Sequence, residues 1–204
     1  MTVSVTPAQR DWVGPIAPVT LKGPTLTLVP VDVDQDYEAL FNAVGDPHTF
    51  DYYPHGPIAN AKEYKQKLQK ELQQGYTPFK VVRGDKLVGS VSLLNTIVEQ
   101  KQSEIGAIWV NPECRGSNVL VEIAYILLSF CFDTLKFNRV QWKTHHENIA
   151  SQKAAIKIGM SHEGVLRNHM IMYDGTLRHS YYYSAIIDEW PKVKDLLEAK
   201  LTKA

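Results

Sequence analysis

The chain has 204 residues, 22 basic and 22 acidic, and 44% of them are hydrophobic, which provides for one sizeable core and no overall field favouring nucleic acid or a membrane surface. No apolar run approaches the length of a membrane span, and residues 1–20 lack a charged-then-apolar leader pattern. The two cysteines, Cys114 and Cys131, show neither disulfide-framework nor metal spacing, which suits a reducing, cytoplasmic setting.

Residues 1–20 carry Pro7, Pro15 and Pro18 without periodicity and read as an N-terminal arm anchored by Trp12; residues 21–204 read as a single domain. Leu26 to Val29 alternates as a first strand, closed by Pro30. Tyr37, Leu40, Phe41 and Val44 then fall at helical spacing, with Gly45 as the stop. Asp51 to Pro57 is an aromatic loop stiffened by two prolines, and Asn60 to Gln73 a charged helix that buries Tyr64, Leu68 and Leu72. Phe79–Val82 and Leu87–Leu93 form a hairpin. Ile105 to Val110 is an unbroken apolar run, as in a strand covered on both faces. A turn at Asn111-Pro112-Glu113 leads through Cys114 to Asn118 into an apolar helix reaching Lys136, with Glu122, Tyr125, Ser129 and Asp133 on its one polar stripe. Strand 139–144 and helix 148–158 follow, the latter closed by Gly159. A hairpin turned by Asp174-Gly175 joins 164–173 to 176–184, and 188–201 is a final amphipathic helix. Alternating strands and helices without a linker predict one α/β domain on a mixed sheet.

Two places carry chemistry. Arg115-Gly116-Ser117-Asn118 joins a strand to a helix start, where free N–H groups and an Arg suit a pyrophosphate; an ordinary helix cap is the other reading. It is neither a GxGxxG nor a P-loop. Asn148 and Ser151 stand just past a strand end, either as a cap or as groups facing a ligand between parted parallel strands. Other residues point elsewhere. Cys114 has no His–acid partner in view, and His145 and His146 are expected to diverge, so no metal site is predicted. With a two-residue turn, His169 pairs with Ser180 and His179 with Met170, which puts the histidines on opposite sheet faces. Tyr181-Tyr182-Tyr183 reads as strand packing, not as a nucleic-acid platform.

Taken together the chain resembles the GNAT acyltransferase superfamily, in its RimJ/RimL-like branch, over residues 21–201. The resemblance rests on Tyr53-Pro54-His55-Gly56-Pro57, Glu104 through Val110, Arg115-Gly116-Ser117 with Glu122 and Tyr125, and Trp142-Lys143-Thr144. It continues through Asn148-x-x-Ser151, Lys157 to Met160, Gly164 to Met170, Asp174-Gly175 and Trp190-Pro191.

The resemblance implies the acyl-CoA N-acyltransferase fold, a splayed mixed β-sheet flanked by helices, and transfer of acetyl from acetyl-CoA to a primary amine. Cofactor contacts are expected from Ile108, Trp109 and Val110, from the loop Arg115, Gly116, Ser117, Asn118, Val119 and Leu120, and from Asn148. N–H groups near Trp109 and Val110 would polarise the thioester. Glu104 matches the family's base, although an exposed strand-end carboxylate is the other reading, and Ser151 matches the donor to the leaving thiolate. Tyr52, Tyr53, His55, Arg167 and His169 are expected around the acceptor, with Asp51 and Glu104 suiting a cation. Departures from the branch are Asn118 for a glycine, Leu120-Val121 for Asn-Thr, and Ala155-Ile156 where many members carry a tyrosine. They leave a non-catalytic acyl-CoA sensor, or an interaction module without cofactor, as competing classes. The apolar hairpin and last helix suggest a homodimer; neither nucleic acid nor membrane is expected as a partner.

Overall fold

A computed structural model describes residues 19–203, and the predicted arm, with its Trp12 anchor, lies outside them but for Val19 and Thr20. Eight strands form one sheet: β1 (Leu21–Lys22), β2 (Thr27–Pro30), β3 (Thr77–Arg83), β4 (Lys86–Ile97), β5 (Gln102–Val110), β6 (Arg139–His145), β7 (Ser161–Ile171) and β8 (Leu177–Ile186). Their order is β1-β2-β3-β4-β5-β6-β8-β7, and β5–β6 is the one parallel pair. Five helices cover it: α1 (Val33–Val44), α2 (Ala61–Gln73), α3 (Val119–Ser129), α4 (Ile149–Lys157) and α5 (Trp190–Thr202).

Local chemistry sets the helix ends. Asp32 accepts the N–H groups of Asp34 and Gln35, so α1 starts four residues before its apolar spacing does. Asn60 accepts from Glu63, whose carboxylate takes the N–H of Ala59 in return, a reciprocal cap on α2. The inward face of α2 holds Tyr64, Lys67, Leu68 and Glu71, whereas Leu72, predicted buried, is 46% exposed. The long apolar helix stops at Ser129 and gives way to a π-turn over Phe130–Thr134.

Two apolar clusters lie on the two sides of the sheet. The larger is built from the sheet, α3, α4 and α5; the smaller packs α1 and α2 around Trp109, whose indole N–H donates to Tyr64 at 3.0 Å. Glu122, from the polar stripe of α3, is buried. It accepts from the N–H of Thr25 (2.6 Å), the Thr25 hydroxyl (2.7 Å) and the N–H of Leu26 (2.7 Å), which ties α3 to the β1–β2 turn.

The β7–β8 hairpin corrects a prediction. The N–H of Met172 donates to the Thr176 carbonyl, so the loop is Tyr173-Asp174-Gly175, with Gly175 at φ 84°, and not the two-residue turn. Register slips by one, and Met170 faces Arg178 in place of His179. Asn168, at φ 50°, sits in a bulge that sends His169 to the Ser180 hydroxyl (3.0 Å) while the His179 ring packs at a tilt against His146. Ser180 and His179 are adjacent in a strand, so the two histidines do lie on opposite faces, by another register than expected.

Candidate active site

The site begins where two strands part. β5 and β6 pair only at Gln102–Glu104 with Arg139–Gln141, and beyond Glu104 the two diverge. On its other edge β5 bulges: Ala107 and Ile108 together oppose Val91, and Ala107 takes φ 48°, which a non-glycine residue adopts only where its surroundings hold it. The N–H of Asn111 bonds back to Val88 on β4, so strand alternation turns the N–H of Val110 towards the gap. The Val110 carbonyl meets Arg115 Nε, and the Ile108 carbonyl accepts from the Tyr53 hydroxyl at 3.3 Å, as that orientation requires. The gap opens into a cavity of about 640 Å³.

The two faces of β6 dress this cavity differently. From one face the Trp142 indole N–H donates to the Ser151 hydroxyl oxygen at 2.9 Å. That bond fills an acceptor position of the oxygen and leaves the hydroxyl hydrogen free to donate elsewhere. Asn148 caps α4 through Oδ1, which accepts from Ser151 N, and its amide nitrogen is left to the cavity it lines. Every polar group here is neutral.

From the other face come charges. Glu104 is buried, and its Oε2 accepts from Asn95 (2.9 Å) and Gln141 (2.9 Å) with Lys143 Nζ at 3.5 Å. All three contacts fall on Oε2, and Oε1 has no hydrogen-bond partner among the described residues. Lys67 and Glu71 form a buried pair at 2.9 Å, and Glu71 Oε2 has no hydrogen-bond partner among the described residues. Although burial opposes its charge, Lys67 is held above the usual lysine range by Glu71 and by Tyr64 and Tyr53. Burial pushes the Tyr53 hydroxyl up, and burial together with Lys70 and Lys67 pulls His55 down, so His55 favours its neutral form.

A family profile described as an acetyltransferase (GNAT) domain matches residues 25–161. The chain belongs to the GNAT acetyltransferase family. It is 26% identical over 159 residues to the uncharacterized N-acetyltransferase YnaD of Bacillus subtilis, a match covering 76% of this chain and 91% of that one. Its fold is similar to that of a GCN5-related N-acetyltransferase from Brucella melitensis (TM-score 0.85, 25% identity, 94% of this chain and 90% of that one). It also matches the fold of Mycobacterium smegmatis RimJ, solved in complex with CoA-disulfide (TM-score 0.71, 21% identity, 89% of this chain and 94% of that one). The predicted mixed-sheet acetyltransferase fold and the N-acetyltransferase class are borne out.

On this GNAT scaffold the site residues expected from sequence divide. Ile108, Trp109, Val110, Arg115, Leu120, Asn148 and Ser151 line the cavity, as do Glu104, Tyr52, Tyr53 and His55. Gly116, Ser117, Asn118 and Val119 are not among its lining residues; they form the turn into α3, between Arg115 and Leu120, where the Ser117 hydroxyl donates to the Cys114 carbonyl and receives the N–H of Val119. The alternative reading of Glu104 as an exposed carboxylate is overturned by its burial, 2% exposed. Arg115 does not stand free for a phosphate: its guanidinium is held by Asp46 at 2.5 Å and reaches Thr49 at 3.3 Å. Asn118 needs no unusual backbone, with φ −82°, and its amide donates to the Lys200 carbonyl; the left-handed residue of the loop is Gly116, at φ 79°. Arg167 is exposed and does not line the cavity, nor does His169, which instead bonds Ser180. Asp51, expected to attract a cation, pairs with His48 at the surface.

His145 and His146 also depart from expectation. Their rings do not diverge but stack, with centroids 4.3 Å apart, and their ligand atoms and those of Glu147 all lie within 4.8 Å. Each Nδ1 accepts a backbone N–H, from Glu147 and from His179, which keeps the ring proton on Nε2 and away from the role of a bare metal ligand. Sequence reasoning missed Lys143 and Glu71, which line the cavity, and named Arg178, which also lines it, only as the end of the hairpin Arg167–Arg178 expected to wall the acceptor. The alternation of polar residues along β6 is the signal for Lys143, whereas nothing in the pattern of α2 sets Glu71 apart from its solvated neighbours. Among the described residues no helix is long and apolar enough to cross a membrane.

Proposed function

We propose that this GNAT enzyme moves the acetyl group of acetyl-CoA to a primary amine by direct attack within a ternary complex. Val110 and its neighbours along β5, the turn from Gly116 to Leu120, and Asn148 hold the cosubstrate, which supplies an activated acetyl thioester. Glu104 takes the proton from the incoming ammonium through a water at Oε1, and the free amine attacks the carbonyl carbon. The Val110 N–H steadies the charge that builds on the carbonyl oxygen. A C–N bond forms, the C–S bond breaks, and the Ser151 hydroxyl gives its hydrogen to the departing sulfur before solvent restores it. Arg115 contributes by bracing the cofactor turn against the Asp46 loop, and any phosphate contact it makes comes from the guanidinium edge that Asp46 leaves open.

The observation that carries this reading is the fork itself: buried Glu104 on one face of β6 and the oriented Ser151 hydroxyl on the other, with a slot between them. The sensor alternative rested on Asn118 and the missing tyrosine; Asn118 sits unstrained at the start of α3, and Ser151 offers the proton donor. Two cysteines that are unpaired support a cytoplasmic setting. Exposed Val165, Leu166, Ile171 and Leu177 on the β7–β8 hairpin support a homodimer. Thiol release from acetyl-CoA in the presence of a panel of primary amines, with the acetylated product weighed by mass spectrometry, tests the reading. Amine-dependent release is expected. Acetyl-CoA binding with no release across the panel would return the sensor class.

A further inference from the structure

Arg178 is a buried cation with no carboxylate in direct contact, Glu104 acting on it only from a distance. It is 5% exposed, it lines the cavity, and none of the carboxylates among the described residues comes within ion-pair distance of it. Its hydrogen-bond partners are neutral: Nε donates to the Ser180 hydroxyl at 3.0 Å and Nη1 to the Tyr52 carbonyl at 3.4 Å. Ser180 in turn meets His169 Nδ1 at 3.0 Å, so a short chain of bonds fixes the guanidinium in place. A charge taken out of water costs far more than these neutral bonds return, and an Arg cannot escape by losing its proton. Other charges around it are already matched, Glu104 by Lys143 and Glu71 by Lys67.

Strand alternation settles which side of the site this charge serves. Lys143 pairs with Tyr182 and His145 with Ser180, so Arg178, two residues further, shares their face of the sheet. Glu104 joins that face through Gln141 and Lys143, while Ser151 and Asn148 belong to the opposite one.

We propose that Arg178 binds the carboxylate of the acceptor, so that the enzyme acetylates small amines that carry a carboxylate, amino acids being the simplest class. The inference rests on the amine-transfer reading. Geometry favours a carboxylate because the planar guanidinium, pinned along Nε and Nη1, presents its remaining edge as a fork. Glu71 Oε2 then offers a place for a neutral donor on the acceptor, its charge being balanced already by Lys67.

Each of the common amino acids is compared with its carboxamide. Binding to the CoA-loaded protein is read by calorimetry, and turnover with acetyl-CoA by thiol release. At least one acid should bind about ten- to a hundredfold tighter than its amide, the worth of a charge-assisted pair. Arg178→Gln should abolish that preference while raising KM for the acid far more than it lowers kcat, and Arg178→Lys should keep part of it. A merely structural Arg178 would lower the melting temperature on substitution and leave the acid-to-amide ratio alone. Equal binding of acids and amides, or binding of none of them, overturns the anion site. Preferential binding of acids without any thiol release keeps the anion site and overturns the transfer reading.

Discussion

The two faces of β6 meet the same cavity with different chemistry. The Trp142 face works with neutral groups: an indole N–H, a hydroxyl, an amide, and the backbone of β5. The Lys143 face works with charge, in buried Glu104 and Arg178 and half-buried Lys143, extended by Lys67 and Glu71 from α2. Neutral, backbone-built surfaces suit one invariant partner, since peptide N–H groups are the same whatever the side chains. Buried charges are costly unless matched, so their pattern reports the partner's own charge. On the proposed reading the first face takes the cosubstrate and the second the acceptor.

The largest test of this contrast is on stability. Lys67→Met should cost about 3–5 kcal/mol in chemical denaturation, because it strands the Glu71 carboxylate, whereas Lys67→Met with Glu71→Met together should be close to neutral. Equal losses in the single and double variants would deny that the acceptor face is held by matched charge. On the neutral face, Ser151→Ala should lower kcat by roughly ten- to a hundredfold, with little change in acetyl-CoA affinity or melting temperature. A loss confined to affinity would make Ser151 a binding group only.

The smallest effect is in pH. Burial, then the neighbouring His146 and Arg178, hold the His145 pKa below its ordinary value of about 6.5. The unfolded chain thus takes up this proton first, and the contribution of His145 is present above about pH 6.5 and declines as pH falls below it. Melting temperature should drop on acidification through that range, and His145→Gln should flatten the drop. A drop of unchanged size in the variant would assign it to other groups.

The neutral face was the more legible in the sequence. Asn148, Ser151 and the run from Ile105 to Val110 were readable because capping and apolar patterning are local signals. Glu104 was named, but its burial was not, since the strand was expected to begin one residue later. Arg178 is expected only as the end of a hairpin walling the acceptor, because a two-residue turn places His179 opposite Met170; a three-residue loop shifts that register by one. Lys67 and Glu71 escaped because charged residues on a helix read as a solvated face, and only tertiary packing reveals that Leu72 is turned out in their stead. Arg115 shows the converse: its place in the turn was right, while its engagement by Asp46, 69 residues away, is a long-range contact that no local pattern announces.

The division of labour is tested most directly by Glu104→Gln, assayed for acetyl-CoA affinity by calorimetry and for turnover across the pH range. Affinity within a few-fold of the unsubstituted enzyme, with kcat reduced by about 10²–10⁴ at every pH, is the predicted result. Unchanged turnover, or loss of acetyl-CoA binding in step with turnover, would contradict it.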